Sequence, residues 1–559
     1  MESFSEGPDA PSIAEDPALG LSRRAKFEIL AAVLLGMFLS ALDQTIVGPV
    51  LPKIVSDLNG NDYYTWAVTI YLLTSTVTVP IYGKLSDLYG RKPILIAGIT
   101  MFLVGSALSG LSQEMWELVL FRGVQGLGAG ALFPIALAVI GDLFTPAERG
   151  KYQGLFGLVF GVAFLLGPAI GGTLTDTFSW HAIFYVNLPI GLIALFVIWR
   201  LLPNIKHTER AGKIDYLGVV TLTLGLVPLL VGFTVAETTG FGDPFFWLWA
   251  GVGLVFLAIF VMVERRSPEP VIPLHLFRNR TFSSSMLAIF FATFGFGAVI
   301  IFLPLYFLIV EGASATESGY RLLPFMFGLI VASIGSGQIV ARTGRYKPIV
   351  LIGLVTLIVG MALMTQLRAG TSDVMLALWM FIAGLGVGPT FAVFTIIVQN
   401  AVPFHELGTA TSDLTLFRQI GTTIGIAVAF TIFRLNFTWN LLREQVIAAG
   451  APAALVPVAP PAGFDIGKLT QVGSGSGGEG VAGFMSQIPA QAQPLFLDGF
   501  HRAFTISIGN SIWLGVVASA VALVAAFALR EIPLRTSHGA PAQGAARAGA
   551  PARPAVGID

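Results

Sequence analysis

Cysteine is absent from the 559 residues, which removes disulfides, thiolate metal sites and cysteine nucleophiles together. Charge is scarce: Asp, Glu, Lys and Arg make up 11% of the chain, where a soluble domain carries about a quarter. Neither sign predominates, because 32 Lys and Arg face 32 Asp and Glu, so there is no overall basic field to hold nucleic acid. The histidines are scattered over helix ends and connections. No HExxH, P-loop or GxSxG occurs, so the sequence offers neither a metal site nor an enzyme's catalytic constellation. What remains is apolar: 55% hydrophobic residues, mean hydropathy +0.79, 64 Gly and 43 Phe. This composition suits helices that pack closely inside a bundle and face lipid outside.

A helix needs about 20 apolar residues to cross the hydrocarbon core. Runs of that length lie near 27–50, 64–84, 93–111, 116–140, 152–174, 180–201, 215–235 and 245–264. Further runs lie near 282–308, 319–341, 348–367, 374–399, 409–433 and 502–529, predicting fourteen spans. The start, 1–26, is acidic and polar at first and reads as a disordered cytosolic segment without a signal peptide. Residues 530–559 end in an Ala/Pro/Gly-rich stretch that reads as a disordered cytosolic tail. The connection 436–500 contains GSGSGGEG and is expected to be a long, flexible extracytoplasmic loop.

With the N-terminus inside, Lys53, Arg321, Arg368, Arg434, Arg443, Lys468 and Arg502 fall outside and Arg122 and Arg418 within spans. All other Lys and Arg fall on the cytosolic side, so the positive-inside rule places both termini in the cytosol.

An internal repeat organises the spans. GKLSDLYGRKP from Gly83 recurs as GQIVARTGRYKP from Gly337, with one extra residue at Tyr346. Gly167-Pro-Ala-Ile-Gly171 recurs as Gly421-Thr-Thr-Ile-Gly425, and GLGAG from Gly126 as GLGVG from Gly384. The matches pair helices 2/3, 4 and 5 with 10/11, 12 and 13, a shift of eight. Two six-helix halves, 27–201 and 265–529, with two helices inserted at 202–264, produce that shift. Parallel six-helix repeats of this kind form the major facilitator arrangement, with substrate bound near mid-membrane between the halves.

Two charges sit inside spans of the first half. Asp43 lies about 24 Å along helix 1 from the inner edge, and Arg122 about 9 Å along helix 4 from the outer edge, at about 1.5 Å per residue. In a core about 30 Å thick these depths agree within one to two turns. Ionisable groups so placed are functional candidates by default; a structural buried ion pair is the alternative.

ALDQTIVGPVLP (41–52), GKLSDLYGRKP (83–93), FRGVQGLGAG (121–130), GVAFLLGPAIGG (161–172) and WHAIFYVNLPIG (180–191) stand in order on successive helices. In these motifs the chain closely resembles the fourteen-helix drug:proton antiporters of the major facilitator superfamily, the EmrB/QacA type. The resemblance covers about 27–433. It implies an all-α polytopic membrane protein with the major facilitator fold, and it assigns Asp43 and Arg122 to proton coupling. It makes Gly83, Asp87, Gly90, Arg91 and Asp142 a conformational latch that holds the outward-facing state, where the plain alternative is topogenic charge. Gly161, Gly167, Pro168, Gly171 and Gly172 form its antiporter motif, a seal that enforces exchange; ordinary glycine packing is compatible with it. Trp180 could also be an interfacial anchor.

Asp413 departs from the family pattern. Near the start of helix 13 it is either a carboxylate favoured by the helix dipole or a second titrating site. Arg418 matches a family position without an evident partner. The expected activity is export of lipophilic compounds, cationic ones included, across the cytoplasmic membrane by alternating access, driven by the proton gradient without a cofactor or metal. The alternative is export of lipids or lipoconjugates on the same fold. Partners are the transported molecules, protons and the bilayer; a monomer is expected, with 436–500 available to an accessory extracytoplasmic protein.

Overall fold

A computed structural model describes residues 21–58, 60, 63–204, 214–453, 456, 458–460 and 492–534. The disorder expected of the two ends and of the 436–500 connection therefore falls largely outside the described residues, over 1–20, 461–491 and 535–559.

Among the described residues fourteen helices are long and apolar enough to cross a membrane. The first half comprises α1 (Arg23–Asp57), α2 (Trp66–Tyr89), α3 (Arg91–Ser109), α4 (Met115–Leu143), α5 (Glu148–Thr177) and α6 (Ala182–Leu201). The inserted pair is α7 (Tyr216–Glu237) and α8 (Pro244–Glu264). The second half comprises α9 (Arg280–Ile309), α10 (Thr316–Thr343), α11 (Lys347–Met364), α12 (Asp373–Ala401), α13 (Phe404–Asn436) and α14 (Gln493–Phe527). Connections rich in Lys and Arg share one face of the bundle, called here the basic face.

The repeated glycines explain how each half closes. Gly126 and Gly130, four apart on α4, meet the backbone of α2 at Tyr71 and Ser75, while Gly128 meets α3 at Gly98 and Phe102. In the second half Gly384 and Gly388 meet α10 at Phe325 and Leu329, and Gly386 meets α11 at Leu357. Residues four apart share a helix face and the one between them turns away. One GxGxG therefore lets a central helix touch two neighbours at backbone distance. Accordingly the apolar stretch of α4 is 89% buried and that of α12 83%, against 22% for α8.

The inserted helices pair through Gly225 and Gly253. Leu222 and Leu226 of α7 and Phe260 of α8 join one apolar cluster with Val77 and Val79 of α2 and Leu416 of α13. The pair therefore lies against one helix from each half.

Two edges differ from the sequence reading. Helix α1 continues to Asp57, and α14 begins at Gln493 rather than near 502. The extra turns of α14 pack on a helix at Trp439–Ala448, with Gly499 against Val446 and the Phe496 ring 6.2 Å from Trp439. Tertiary contact thus orders polar-flanked turns that hydropathy leaves out.

Because the chain has no native cysteine, single cysteines should report sidedness cleanly. Cysteines at Ser267 and Gly344 should react with a membrane-impermeant maleimide from one side only, and those at Thr239 and Gly312 only from the other. Mixed reactivity within either pair would break the fourteen-span arrangement.

Candidate functional site

The first site is a closed polar cluster inside the first half. Asp43 of α1 is fully buried and Arg122 of α4 is 1% exposed. Arg122 Nη1 donates to Asp43 Oδ2 at 2.5 Å. Asp43 Oδ1 accepts from Gln125 Nε2 at 2.8 Å and from Asn187 Nδ2 at 3.1 Å. Arg122 also donates to Gln125 Oε1 at 2.9 Å and to the Ala67 carbonyl at 3.3 Å. Its guanidinium carbon lies 4.2 Å from the centre of the Tyr71 ring. A charge taken from water needs this many partners, because each missing one leaves desolvation uncompensated.

Sequence reasoning singled out the two charges and missed Gln125, Asn187 and Tyr71. Each stood inside a quoted motif or an apolar span. Gln125 is three residues beyond Arg122, hence on its helix face. Asn187 is a polar residue inside the apolar α6, where an amide must find a partner.

The second site closes the basic face. Arg91, fully buried, donates from Nε to Asp142 at 2.9 Å and from Nη1 to Asp87 at 2.5 Å and Ser86 Oγ at 2.7 Å. Asp87 then reaches into the second half, accepting from Gly408 N at 3.0 Å and from Thr409 N and Oγ1, each at 2.7 Å. Gly90 makes the break between α2 and α3 with φ +97°, a backbone that favours glycine. Gly83 lies so close to α13 that an added methyl would collide with Ser412. All five residues assigned to the latch thus meet in one place. Beside them Gln153 Nε2 donates to Gln399 Oε1 at 2.7 Å, and Ser333 Oγ donates to the Gly154 carbonyl at 3.1 Å, both across the halves.

The glycines of α5 seal two seams. Gly167 packs on Thr45 and Gly171 on the Ile46 carbonyl of α1, while Gly161 packs on Ile330 of α10. Pro168 approaches Gly319 and Gly172 faces Thr316, both on α10. Thr45 Oγ1 donates to the Ala163 carbonyl at 2.9 Å, fixing α1 to α5 just before the proline.

Asp413 is fully buried, and neither carboxylate oxygen has a hydrogen-bond partner among the described residues. The amides of Gly408 and Thr409 near the start of α13 are taken by Asp87 from α2. Arg418 reaches the Thr390 carbonyl at 3.5 Å and lies 4.6 Å from the Phe391 ring. Phe391 joins Phe133, Phe156 and Phe160 of the first half, with ring centres 5.1–6.1 Å apart in the contacting pairs. Trp180 is no interfacial anchor: it is 3% exposed and stacks on His181 at 3.6 Å. No group of three or more His, Asp or Glu among the described residues is arranged to hold a metal ion.

Two pseudo-symmetric halves in fourteen membrane helices, meeting through a polar contact on one face, define a membrane transporter. The Major Facilitator Superfamily profile matches residues 33–426, and the chain belongs to that superfamily. It is 39% identical over 427 residues to the Multidrug transporter protein MdtP of Bacillus subtilis, covering 75% of this chain and 77% of that one. It is 36% identical over 459 residues to Multidrug resistance protein 3 of the same organism, covering 80% and 88%. The Efflux pump dotC of Dothistroma septosporum is 33% identical over 439 residues, covering 76% and 75%. The crystal structure of the human organic anion transporter MFSD10 superposes with TM-score 0.58 over 90% of this chain and 99% of that one, at 16% identity. That likeness speaks for the fold alone.

Arg122→Leu should leave the buried Asp43 carboxylate without a counter-charge, held only by the Gln125 and Asn187 amides. We expect a loss of about 3–5 kcal/mol in stability, read as a lowered unfolding midpoint in detergent. Asp43→Asn with Arg122→Leu should recover part of it; a single variant as stable as the native protein would show that Asp43 does not depend on Arg122.

Proposed function

We propose that the protein is a proton-coupled antiporter that exports lipophilic compounds across the cytoplasmic membrane, with the basic face and both termini in the cytosol. The observation that carries this reading is the Asp43 cluster: a carboxylate with no exposed surface, balanced by one guanidinium, in the half sealed by the α5 glycines. Protonation of Asp43 neutralises the carboxylate and weakens its hold on Arg122, so the cluster has two states that differ by one proton. The described arrangement has its basic face shut, which corresponds to access from outside. Proton entry there would loosen Asp43 from Arg122 and allow the halves to rock; a compound taken from the cytosol or inner leaflet would then favour proton release. The relatives named as multidrug transporters and efflux pumps support export.

The phenylalanines at the seam supply an apolar wall for such compounds, with dispersion and ring stacking rather than fixed hydrogen bonds. Arg418, against Phe391, offers that wall a cation and hydrogen-bond donors. Neutral aromatic compounds carrying a carbonyl or an acidic group therefore suit it better than permanent cations.

Asp43→Asn keeps the shape and most hydrogen bonds but cannot carry a proton. In proteoliposomes this variant should lose transport driven by a pH gradient while retaining substrate binding. A stable variant that still accumulates drug against its gradient would dismiss Asp43 as the carrier and move the coupling to Asp413.

Asp87→Asn removes one charge-assisted pair at the basic face. Hydrogen bonds to charged groups contribute about 1.5–3 kcal/mol, so the ratio of closed to open basic face should fall by roughly tenfold or more. Spin-label distances between α2 and α13 would measure it; unchanged populations would leave the cluster with only a topogenic role.

A further inference from the structure

The two copies of the repeated turn both break at a positive-φ glycine and differ in charge. Gly90 and its counterpart Gly344 both hold positive φ, +97° and +69°. Gly83 packs on the start of α13, and its counterpart Gly337 packs on the Gly150 backbone just before α5's long run. Each copy therefore presses the inner end of one half against a helix start of the other. In the first copy two carboxylates, Asp87 and Asp142, surround Arg91. In the second copy the corresponding positions are Ala341 and Asn400, while the cation is kept as Arg345. Arg345 is exposed and has no carboxylate partner among the described residues.

Ala341 borders a cavity of about 500 Å³ at the same face. Its walls carry Arg23 and Lys26 from the start of α1 and Lys151 from α5. None of these three pairs with a carboxylate among the described residues. The one acid in the wall, Glu148, is turned aside to cap its own helix, its Oε2 accepting from Thr145 N at 3.3 Å and Oγ1 at 3.1 Å. The remaining lining is aromatic and aliphatic, including Phe27, which is 40% exposed. The place where the repeat leads one to expect a carboxylate is thus a methyl group beside three cations without a carboxylate partner among the described residues, two of which, Arg23 and Lys151, lie over the Phe27 and Tyr152 rings.

We propose that this cavity binds the phosphate of an anionic phospholipid from the leaflet at the basic face. The phosphate lies beside Ala341, where the first copy has Asp87, and its charge meets Arg23, Lys26 and Lys151 of the first half rather than the second copy's own Arg345. Basic pockets between membrane helices on the cytosolic side are suited to such head groups. A diester phosphate offers acceptors to Arg23 and Lys151 together, and its glycerol and acyl portions lie along Phe27. Because the cavity has walls from α1 and α5 on one side and Ala341 of α10 on the other, it keeps this form only while the basic face is shut, so a lipid bound there is selective for that state. It therefore favours the closed basic face. This consequence rests on the alternating-access reading above, whereas lipid retention itself does not.

The test uses the full-length protein in nanodiscs of phosphatidylcholine, with or without phosphatidylglycerol, and native mass spectrometry to count retained lipid. The protein should retain phosphatidylglycerol, and the closed fraction, read by spin labels on α5 and α10, should rise several-fold when it is present. Arg23→Gln with Lys151→Gln should lose both effects, while Arg278→Gln with Arg280→Gln, elsewhere on the same face, should keep them. Equal retention by the first variant and the native protein would overturn the proposal whatever the transport result. Millimolar inorganic phosphate in neutral nanodiscs should leave the closed fraction unchanged; full closure by free phosphate would overturn the assignment to lipid. A chain lacking residues 1–20, whose carboxylates are the other nearby negative charges, should respond as the intact chain does. A much larger response in the truncated chain than in the intact one would give the cavity to the acidic segment instead.

Discussion

Everything in the first half is arranged around one requirement: a carboxylate removed from water must find its compensation within the protein. Asp43 of α1 meets Arg122 and Gln125 of α4 and Asn187 of α6. Arg122 in turn is held by the Ala67 carbonyl and the Tyr71 ring on α2. Lipid can replace none of these partners, since hydrocarbon neither donates nor accepts hydrogen bonds. The positions of α1, α2, α4 and α6 are therefore tied to one another through a single charge. A change in that charge is a change felt by four helices.

The basic face works by a related principle with a different geometry. Arg91 is satisfied within its own half by Asp87 and Asp142, but Asp87 has acceptor capacity left over and spends it on the amides of Gly408 and Thr409. Those amides belong to the first turn of α13, where backbone donors have no partner inside the helix. The contact between halves is thus made from unsatisfied groups on both sides. It can be broken wholesale when water reaches it, because water satisfies the same donors and acceptors.

Helix number, order and the inserted pair were legible because a bilayer demands long apolar runs and penalises everything else. The repeat was legible because the GxGxG of α4 and of α12 solve one packing problem twice. Asp43 and Arg122 stood out because charge within an apolar run is expensive. Gln125 and Asn187 did not, since neutral amides barely alter hydropathy, although both complete the site. The surroundings of Asp413 were illegible, because position along a helix does not show that both carboxylate oxygens lie without a hydrogen-bond partner among the described residues. The early start of α14 was missed for a similar reason, because its first turns are ordered by Trp439–Ala448 and not by lipid.

The inserted pair has a geometric consequence. The two halves meet along two long seams, one where α2 runs beside α13 and one where α5 runs beside α10. Helix α7 lies over the first, bonded to both of its helices through Leu222 and Leu226 and held at its far end by Arg434 of α13 reaching the Glu237 carbonyl. That seam is double-walled, while at the other α5 packs directly on α10. A molecule dissolved in the bilayer therefore meets a transporter with a back and a front: two layers of helix over one seam and a single, glycine-packed layer over the other.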